Sequence, residues 1–430
     1  MTGTNLCVMS KNGKERDCSK CENYGCPIRQ KLTHVKAQIL EDYNNKAYIS
    51  NNNVLCIDIG TTTVVFAYLE KNKGVKTYSM VNPQTEYGAD VLSRINAANN
   101  GYGKIMHQQI CDVLIMGTQK LCGDAKIDRA IISANTTMVH LLMQYPCSSL
   151  GVYPFTVHNI NTIHTTFNSI TFSQLNDFPV TITGGISAFV GGDIVSGILF
   201  SDMAKSNEIS LFIDLGTNGE MAIGNKDKIL CTSTAAGPAF EGGKISCGVA
   251  CVEGAVYSVK DNTIKTIGNK ASIGICGSGI IDLVAKLRKE NIIDNTGLLI
   301  NKYFDNGYKL CENVAFLQSD IREIQMAKAA IATGIDTLIE NYGTSYGDIK
   351  NVYLAGGFGS GIDILSAVQI GIIPPSLADR VVSVGNASLG GAIEYAINCG
   401  DIERIRRISS EIVLGNDDVF GEKYIENMNF

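Results

Sequence analysis

The sequence predicts an α/β protein in which two related domains face each other across a cleft. Its 430 residues exceed what a single hydrophobic core usually organises. From Val54 onward, apolar runs of strand length alternate with helical stretches of about ten residues or more, which is typical of layered α/β folds. One motif also occurs twice, at a separation the size of a domain. Together these observations favour a duplicated architecture.

The first part of the chain is polar and rich in cysteine. Cys7, Cys18, Cys21 and Cys26 lie here, with ten, two and four residues between them. A helix is predicted near Gln30–Asp42, before an Asn-rich stretch. We expect a Cys-rich segment at residues 1–30 and a linker at residues 31–53. Thiolates at this density predict one metal centre, since they suit both iron–sulfur clusters and Zn²⁺.

The repeated motif consists of a strand, a turn and a second strand. Residues 56–69 read CIDIGTTTVVFAYL and residues 212–224 read FIDLGTNGEMAIG, so Asp58 and Asp214 are 156 residues apart. That period is too long for a solenoid repeat and has the size of a domain. We therefore expect a first domain at residues 54–205, a second at 206–400 and a C-terminal segment at 401–430.

Each copy of the motif predicts a hairpin turn suited to phosphate. A strand ends in aspartate, and Gly60 or Gly216 allows a tight turn before the chain returns as a second strand. Backbone N–H groups and turn side chains can then donate to phosphate oxygens. One copy alone would be no more than a turn with an Asx hydrogen bond, but two copies at domain spacing favour a nucleotide site. The predicted side-chain donors are Thr61, Thr62, Thr217 and Asn218.

Asp58 and Asp214 are the predicted catalytic carboxylates. Each ends a strand, where it could hold Mg²⁺ through water, because Mg²⁺ dehydrates reluctantly. We assign Asp214 to positioning the attacking water. Asp193, in Gly191-Gly192-Asp193, is a further candidate carboxylate, although the N-cap of the following helix is the preferred interpretation.

Three junctions between a strand and a helix complete the predicted nucleotide site. Each places backbone N–H groups or small side chains where a nucleotide can approach. No Gly-Lys-Ser/Thr element opens a helix, so a Walker loop is excluded. The junction residues are Asn135 and Thr136; Gly277, Ser278 and Gly279; and Gly356, Gly357 and Phe358.

Composition argues against two classes of function. The chain has 36 basic and 42 acidic residues, so bulk attraction to nucleic acid is not expected. The sequence contains no leader-like apolar region and no apolar stretch of about 18 residues. We therefore expect no membrane segment and a cytoplasmic location, where cysteines serve as thiols or metal ligands.

The order of motifs along the chain carries a family resemblance. The motifs are IDIGTTT, NTTMVHLL, VGGDI, FIDLGTNGE, AAGPAFEGGKISCG, GICGSGIIDL, QSDIREIQMAKAAI, YLAGGFG and GNASLGGA. From about residue 54 to residue 430, the chain resembles the ATP-dependent reductive activators of corrinoid proteins. The resemblance implies two ribonuclease-H-like domains of the actin, Hsp70 and acetate-kinase type, with ATP and Mg²⁺ between them. It also implies a homodimer that couples ATP hydrolysis to electron transfer and returns the cobalt of a corrinoid protein from Co(II) to Co(I).

The chain departs from this family before residue 54. Long members carry a ferredoxin-like domain of about 90 residues with plant-type cysteine spacing, and neither that length nor that spacing precedes Val54. The redox role of the family favours a [4Fe–4S] cluster at the four N-terminal cysteines, while Zn²⁺ and no metal remain open. With zinc there, the electron must come from an external donor.

Three cysteines in the second domain are open to two interpretations. Cys247, Cys251 and Cys276 form a second possible set of metal ligands, but cysteine is often simply buried. We assign no role to His158 and His164.

Two other functions also remain open from the sequence. The same fold hosts small-molecule kinases, and it also hosts ATP-switched assembly or chaperone proteins. A kinase would explain the phosphate turns but not the N-terminal cysteines.

Overall fold

The computed structural model describes residues 48–260, 263–356, 361–416 and 420–430, together with the backbone of two short strands. These strands, β1 (Leu6–Cys7) and β2 (Arg16–Asp17), pair antiparallel. The predicted helix near Gln30–Asp42 lies outside the described residues, and so does the predicted metal centre.

The first half of the described residues forms one mixed sheet. Its strands are β3 (Val54–Ile59), β4 (Thr63–Leu69), β5 (Val75–Val81), β6 (Arg129–Ala134), β7 (Ile163–Thr166) and β8 (Pro179–Ile182). They run in the order β5-β4-β3-β6-β8-β7. The central strand β3 reads VLCIDI and is almost continuously buried, whereas the edge strand β5 reads VKTYSMV and is largely half-exposed.

The second half forms a sheet in the order β18-β17-β9-β10-β11-β19. Its strands are β9 (Ser210–Leu215), β10 (Gly219–Gly224), β11 (Ile229–Thr234), β17 (Asn351–Ala355), β18 (Val381–Gly385) and β19 (Ser409–Glu411). Two smaller sheets accompany it. They contain β12 (Ala255–Lys260), β13 (Thr263–Thr266) and β14 (Gly274–Ile275), and β15 (Tyr308–Cys311) and β16 (Val314–Phe316).

The two large sheets share one topology in five of their six strands, and the sixth strand, β7 or β19, lies at opposite ends of the two sheets. In each, three consecutive antiparallel strands, β3 to β5 or β9 to β11, form one side. Two parallel strands, β6 and β8 or β17 and β18, then extend the other side of the first strand. The duplicated α/β architecture predicted from the repeat is therefore confirmed.

Helices cover both sheets. They are α1 (Val91–Ala97), α2 (Gly103–Cys122), α3 (Thr136–Leu142), α4 (Phe167–Thr171), α5 (Gly192–Phe200), α6 (Gly277–Lys289), α7 (Asn301–Phe304), α8 (Gln318–Tyr342), α9 (Ile364–Gln369), α10 (Ala387–Asn398), α11 (Ile402–Ile408) and α12 (Phe420–Glu426). Short 3₁₀ segments occur at Pro83–Tyr87, Met203–Lys205, Pro238–Glu241, Ile267–Asn269, Pro375–Arg380 and Leu414–Asn416, and a π turn at Ala98–Tyr102. Among the described helices, none is both long and apolar enough to cross a membrane.

Two helices join the halves, because each packs on the sheet of the opposite half. α5, from the first half, packs on Phe212 and Ala222 of the second sheet. α10, from the second half, packs on Val54 and Cys56 of the first sheet. The helices cross so closely that a Cβ atom at Gly391 would lie 2.0 Å from a backbone carbonyl oxygen of α5. This crossing fixes the two sheets relative to each other and places the ends of β3 and β9 on one cleft.

Candidate functional site

A polar cleft of about 180 Å³ lies where β3 and β9 end. Both copies of the repeated motif contribute to it, and residues from distant segments complete it. Its lining residues are Asp58, Gly60, Thr61, Thr62, Thr63, Val65, Asn135, Asp193, Asp214, Gly216, Thr217, Asn218, Glu220, Glu241, Gly356, Asn386 and Ser388.

The turn of the first half is a short hairpin whose carbonyl groups accept hydrogen bonds from side chains outside the turn. Gly60 N donates to Thr63 O at 2.9 Å, which closes the turn between β3 and β4. Asn82 Nδ2 donates to the carbonyl of Gly60 at 2.9 Å. The buried guanidinium of Arg94 donates to the carbonyl of Thr61. Because these carbonyls already have partners, the turn keeps one orientation and directs its side chains into the cleft.

The turn of the second half has the same form. Gly216 N donates to Asn218 O at 3.0 Å between β9 and β10. Thr217 Oγ1 donates to Glu241 Oε2 at 2.7 Å, and Asn218 Nδ2 donates to Glu220 Oε1 at 3.2 Å. Hydroxyl, amide and backbone N–H groups from both turns therefore line one cavity, an arrangement suited to an anion.

Asp58 is held in place by the other half of the chain. Asn386 Nδ2 donates to Asp58 Oδ2 at 2.7 Å, and Ser388 Oγ donates to Asp58 Oδ1 at 2.7 Å. Ser388 Oγ also lies 2.9 Å from the hydroxyl of Ser133 on β6. Both oxygens of this buried carboxylate thus have donors, as a buried charge requires.

Burial raises the pKa of every carboxyl group that lines the cleft. The groups are Asp58, Asp193, Asp214, Glu220 and Glu241. The pKa of Asp193 is raised to about 7 and that of Asp214 to about 8, because repulsion from neighbouring carboxylates adds to burial. Glu220, which pairs with Asp214 across the strands, has its pKa raised well above the usual range for the same reasons.

This crowding of carboxylates fits a divalent cation. A cation in the cleft would favour the ionised forms that burial and mutual repulsion disfavour. Within the described residues, no three His, Cys, Asp or Glu side chains converge closely enough to hold a metal by themselves. A cation such as Mg²⁺ beside these carboxylates would keep water or phosphate among its ligands.

Asn135 and Thr136 take different positions at the predicted strand-to-helix junction. Asn135 lines the cleft, caps α3 by accepting from Met138 N at 2.9 Å, and donates from Nδ2 to Thr61 Oγ1 at 3.2 Å. Thr136 is buried beside it and donates to the carbonyl of Ser187 at 2.7 Å. Asn135 therefore orients a turn hydroxyl, while Thr136 supports the junction.

The junction at residues 277–279 does not reach this cleft. α6 begins at Gly277 as predicted, but its first turn packs on β12. Ser278 Oγ donates to the carbonyl of Tyr257 at 2.8 Å, and a Cβ atom at Gly279 would lie 2.3 Å from the carbonyl oxygen of Val256. Close packing of helix on strand accounts for the small residues here, and a nucleotide-binding role for Gly277, Ser278 and Gly279 stays a prediction.

The third junction is only partly described. Gly356 follows β17 and lines the cleft, whereas Gly357 and Phe358 lie outside the described residues. The same holds for Cys18, Cys21 and Cys26, and for the side chain of Cys7.

The remaining cysteines and histidines singled out in the sequence lie away from the cleft lining. Cys276 is buried, Cys247 is half-buried and Cys251 is exposed. Burial is the leading cause that raises the pKa of Cys247, to about 11. His158 contacts His140 and Tyr145, and His164 is exposed on β7.

Besides Thr63 and Val65, the cleft contains four residues that were not singled out from the sequence, Glu220, Glu241, Asn386 and Ser388, together with Asp193, which was a further candidate carboxylate. The helix after Asp193 has Gly191 as its N-cap, so the preferred interpretation of Asp193 as the cap was wrong. The other four lie within the motifs FIDLGTNGE, AAGPAFEGGKISCG and GNASLGGA. The polar residue inside each motif was the signal that could have identified these four. Whether its side chain faces the cleft, however, depends on the tertiary fold.

Known proteins resemble this chain over most of its length. A family described as RACo middle region matches residues 54–206, and one described as the C-terminal domain of RACo, the ASKHA domain, matches residues 208–430. Corrinoid activation enzyme RamQ of Eubacterium limosum is 33% identical over 416 residues, which covers 87% of this chain and 70% of RamQ.

Two more distant or longer relatives agree with these matches. The [Co(II) methylated amine-specific corrinoid protein] reductase of Methanosarcina barkeri is 26% identical over 287 residues, or 60% of this chain and 52% of that protein. A solved reductive activator for corrinoid, iron-sulfur protein superposes with a TM-score of 0.80 at 30% identity, covering 89% of this chain and 66% of the other. The chain thus spans between about half and 70% of the length of these three relatives. It belongs to the RACo family, the group of corrinoid reductive activators that its motifs predicted.

Proposed function

We propose that this chain is an ATP-driven reductive activator of a corrinoid protein. ATP is bound and hydrolysed in the cleft between the halves, and the coupled change returns cobalt from Co(II) to Co(I). The observation that carries the proposal is the cleft itself, in which two phosphate-type turns from duplicated halves meet over buried carboxylates. Membership of the RACo family supports the same function, as does the corrinoid activation enzyme among the relatives.

The turns supply the contacts for the phosphates in this proposal. The N–H groups of Gly60 and Gly216 close the two turns, and the threonine hydroxyls of these turns reach the cleft from opposite halves. A ligand that contacts both turns is bound best when the halves are closed. Binding and hydrolysis can then shift the relative position of the halves, which is the linkage that couples nucleotide to partner.

Two aspartates carry the chemistry of hydrolysis. Asp214, at the end of β9, is assigned to orienting the attacking water and accepting its proton, a role that suits a carboxyl group with a raised pKa. Asp58, fixed by its hydrogen bonds from the second half, is assigned to the water shell of the cation. Bound Mg²⁺ would supply neutralisation of the phosphate charge.

The N-terminal cysteines are the proposed electron source. We assign a cluster, preferably [4Fe–4S], to Cys7, Cys18, Cys21 and Cys26, on the strength of their spacing and the redox role of the family. If these thiolates hold zinc, a separate protein must deliver the electron. A corrinoid protein as partner, a homodimer and a cytoplasmic location complete the proposal.

The test combines hydrolysis with cobalt reduction. A Co(II) corrinoid protein from a methyl-transfer system is mixed anaerobically with this protein, a low-potential chemical reductant and ATP, and Co(I) is followed by absorbance. Co(I) should form with ATP and not with ADP. Asp214→Asn should still bind nucleotide but lose hydrolysis by about 10²- to 10⁴-fold, the range for a general base, while Asp227→Asn, at an exposed position between β10 and β11, should match the parent protein. Phosphoryl transfer to a sugar or carboxylic acid without cobalt reduction would refute the proposal.

A further inference from the structure

Glu241 binds the hydroxyl of one of the two phosphate-type turns. The hydroxyl of Thr217, from the second turn, donates to Glu241 Oε2 at 2.7 Å. Both residues line the cleft. A cleft carboxylate therefore already accepts from a turn hydroxyl that a phosphate would need.

This hydrogen bond uses the only proton that the hydroxyl has. A threonine hydroxyl donates once, so Thr217 cannot donate to a phosphate while it donates to Glu241. Thr61 differs, because its oxygen accepts from Asn135 Nδ2 at 3.2 Å and its proton is left for another acceptor. Phosphate contact by Thr61 is therefore independent of Glu241, whereas phosphate contact by Thr217 depends on it.

The backbone at Glu241 is closely held. Glu241 ends the segment Pro238–Glu241, and the following Gly242 has φ +82°. Gly242 N donates to Ala239 O at 3.1 Å, and Gly243 N donates to Pro238 O at 2.8 Å. A Cβ atom at Gly242 would lie 2.6 Å from the carbonyl oxygen of Val249. With the main chain fixed in this way, Glu241 releases Thr217 by rotation of its side chain.

Charge opposes a shared site for Glu241 and phosphate. The carboxyl group lines the cleft, where burial raises its pKa, while the hydrogen bond from Thr217 and the charge of Arg94 act in the opposite sense. An ionised Glu241 next to a phosphate would place two like charges in a poorly solvated space. The carboxylate and the phosphate therefore compete for the hydroxyl of Thr217.

We propose that Glu241 is a latch that an incoming triphosphate must open before Thr217 can bind one of its terminal phosphates. The proposal rests on nucleotide binding in this cleft, as proposed above. It makes Glu241 a positioning residue that sets how strongly the cleft distinguishes ATP from nucleotides without terminal phosphates. A latch of this kind lowers the affinity for ATP and leaves the affinity for AMP unaffected.

The first test measures AMP and ATP affinity by calorimetry with Mg²⁺ present. Glu241→Gln keeps the shape of the side chain but removes its charge, so ATP should bind about tenfold tighter, the effect of losing one charge-assisted hydrogen bond that competes with it. AMP affinity should not change. Glu253→Gln, at an exposed glutamate further along the same loop, is the control and should alter neither affinity. Weaker or unchanged ATP binding by Glu241→Gln would overturn the latch.

A second test uses the unaltered protein and does not depend on whether the variant folds. Binding of fluorescent ATP and AMP analogues is followed by stopped flow at increasing ligand concentration. Opening of the latch predicts an observed rate that saturates for the ATP analogue and rises linearly for the AMP analogue. Linear rates for both would overturn the latch. If the unaltered protein binds neither nucleotide, the proposed ATPase function itself fails.

Discussion

Asn386 donates its side-chain amide to Asp58 at 2.7 Å, which joins the start of α10 in the second half to the end of β3 in the first. The same asparagine caps α10 by accepting from Leu389 N at 2.8 Å. α10 then packs on the first sheet. The hydrogen bond therefore links the orientation of a cleft carboxylate to the contact between the halves.

A substitution at Ser388 measures how much the hydrogen bonds to Asp58 contribute to stability and to ATP hydrolysis. Ser388→Ala removes the donor to Asp58 Oδ1 and leaves a buried carboxylate oxygen without its partner. We expect the free energy of unfolding to fall by about 1–3 kcal/mol, together with slower ATP hydrolysis because Asp58 loses its fixed orientation. Urea denaturation measures the first effect and a phosphate-release assay the second. Ser148→Ala, at an exposed serine, should change neither.

The buried carboxyl groups predict a stability that declines with rising pH. Burial and repulsion raise the pKa of Asp193 to about 7 and of Asp214 to about 8, against about 3.9 in an unfolded chain. Between those values the folded protein binds more protons than the unfolded one, so stability falls as pH increases. Without nucleotide, Tm should drop between about pH 6 and pH 8.5.

The variant Asp214→Asn separates the contribution of Asp214 to the pH dependence of stability from the contributions of other titrating groups. The variant should lose less stability than the parent protein over the same pH range, because the amide does not ionise. Mg²⁺ with ATP should also raise Tm more at the alkaline end, since a bound cation favours the ionised carboxylates. Parallel Tm profiles for the parent and Asp214→Asn would exclude Asp214 as a titrating group.

The sequence was sufficient to predict the duplicated fold and the two turns. The hairpins that follow Asp58 and Asp214 depend on short-range signals, an apolar strand and a glycine, and the same pattern occurred twice. Because duplicated domains tend to face each other, the two aspartates were expected in one cleft, and both line it. The family prediction was confirmed for the same reason, as its motifs are contiguous in sequence.

The rest of the cleft depends on long-range packing. Asn386 reaches Asp58 only because α10 crosses onto the first sheet, and no local pattern encodes that crossing. Glu241 enters through a 3₁₀ segment whose direction is set by the glycines that follow it. At Gly279 the local signal predicts anion binding, which stays a prediction, and close contact with β12 is a second reason for a small residue there. Gly-rich junctions have both uses, and sequence alone does not separate them.

At Gly391, helix propensity and packing have opposite effects on the stability of an alanine variant. Alanine in the middle of α10 should gain about 1 kcal/mol from propensity, but its Cβ atom would lie 2.0 Å from the carbonyl oxygen of Ser196. We expect overpacking to dominate and Gly391→Ala to lower the free energy of unfolding by about 1–3 kcal/mol. The matched control is Gly421→Ala in α12, where no atom lies within 4 Å. A stabilised Gly391→Ala protein would mean that the two helices separate easily.

Substitution of the N-terminal cysteines tests the proposed electron source independently of the ATPase cleft. Replacing Cys18 and Cys21 together with serine should remove bound iron and acid-labile sulfide, because serine is a poor ligand for a cluster built on thiolates. ATP hydrolysis should persist, since both residues precede the duplicated halves. Cobalt reduction should then require an external donor. Metal analysis and electron paramagnetic resonance after anaerobic purification measure the loss, with Cys399→Ser, at an exposed thiol, as control. Undiminished iron in the double variant would assign the cluster to other cysteines, and zinc in the parent protein would replace the cluster with a structural site.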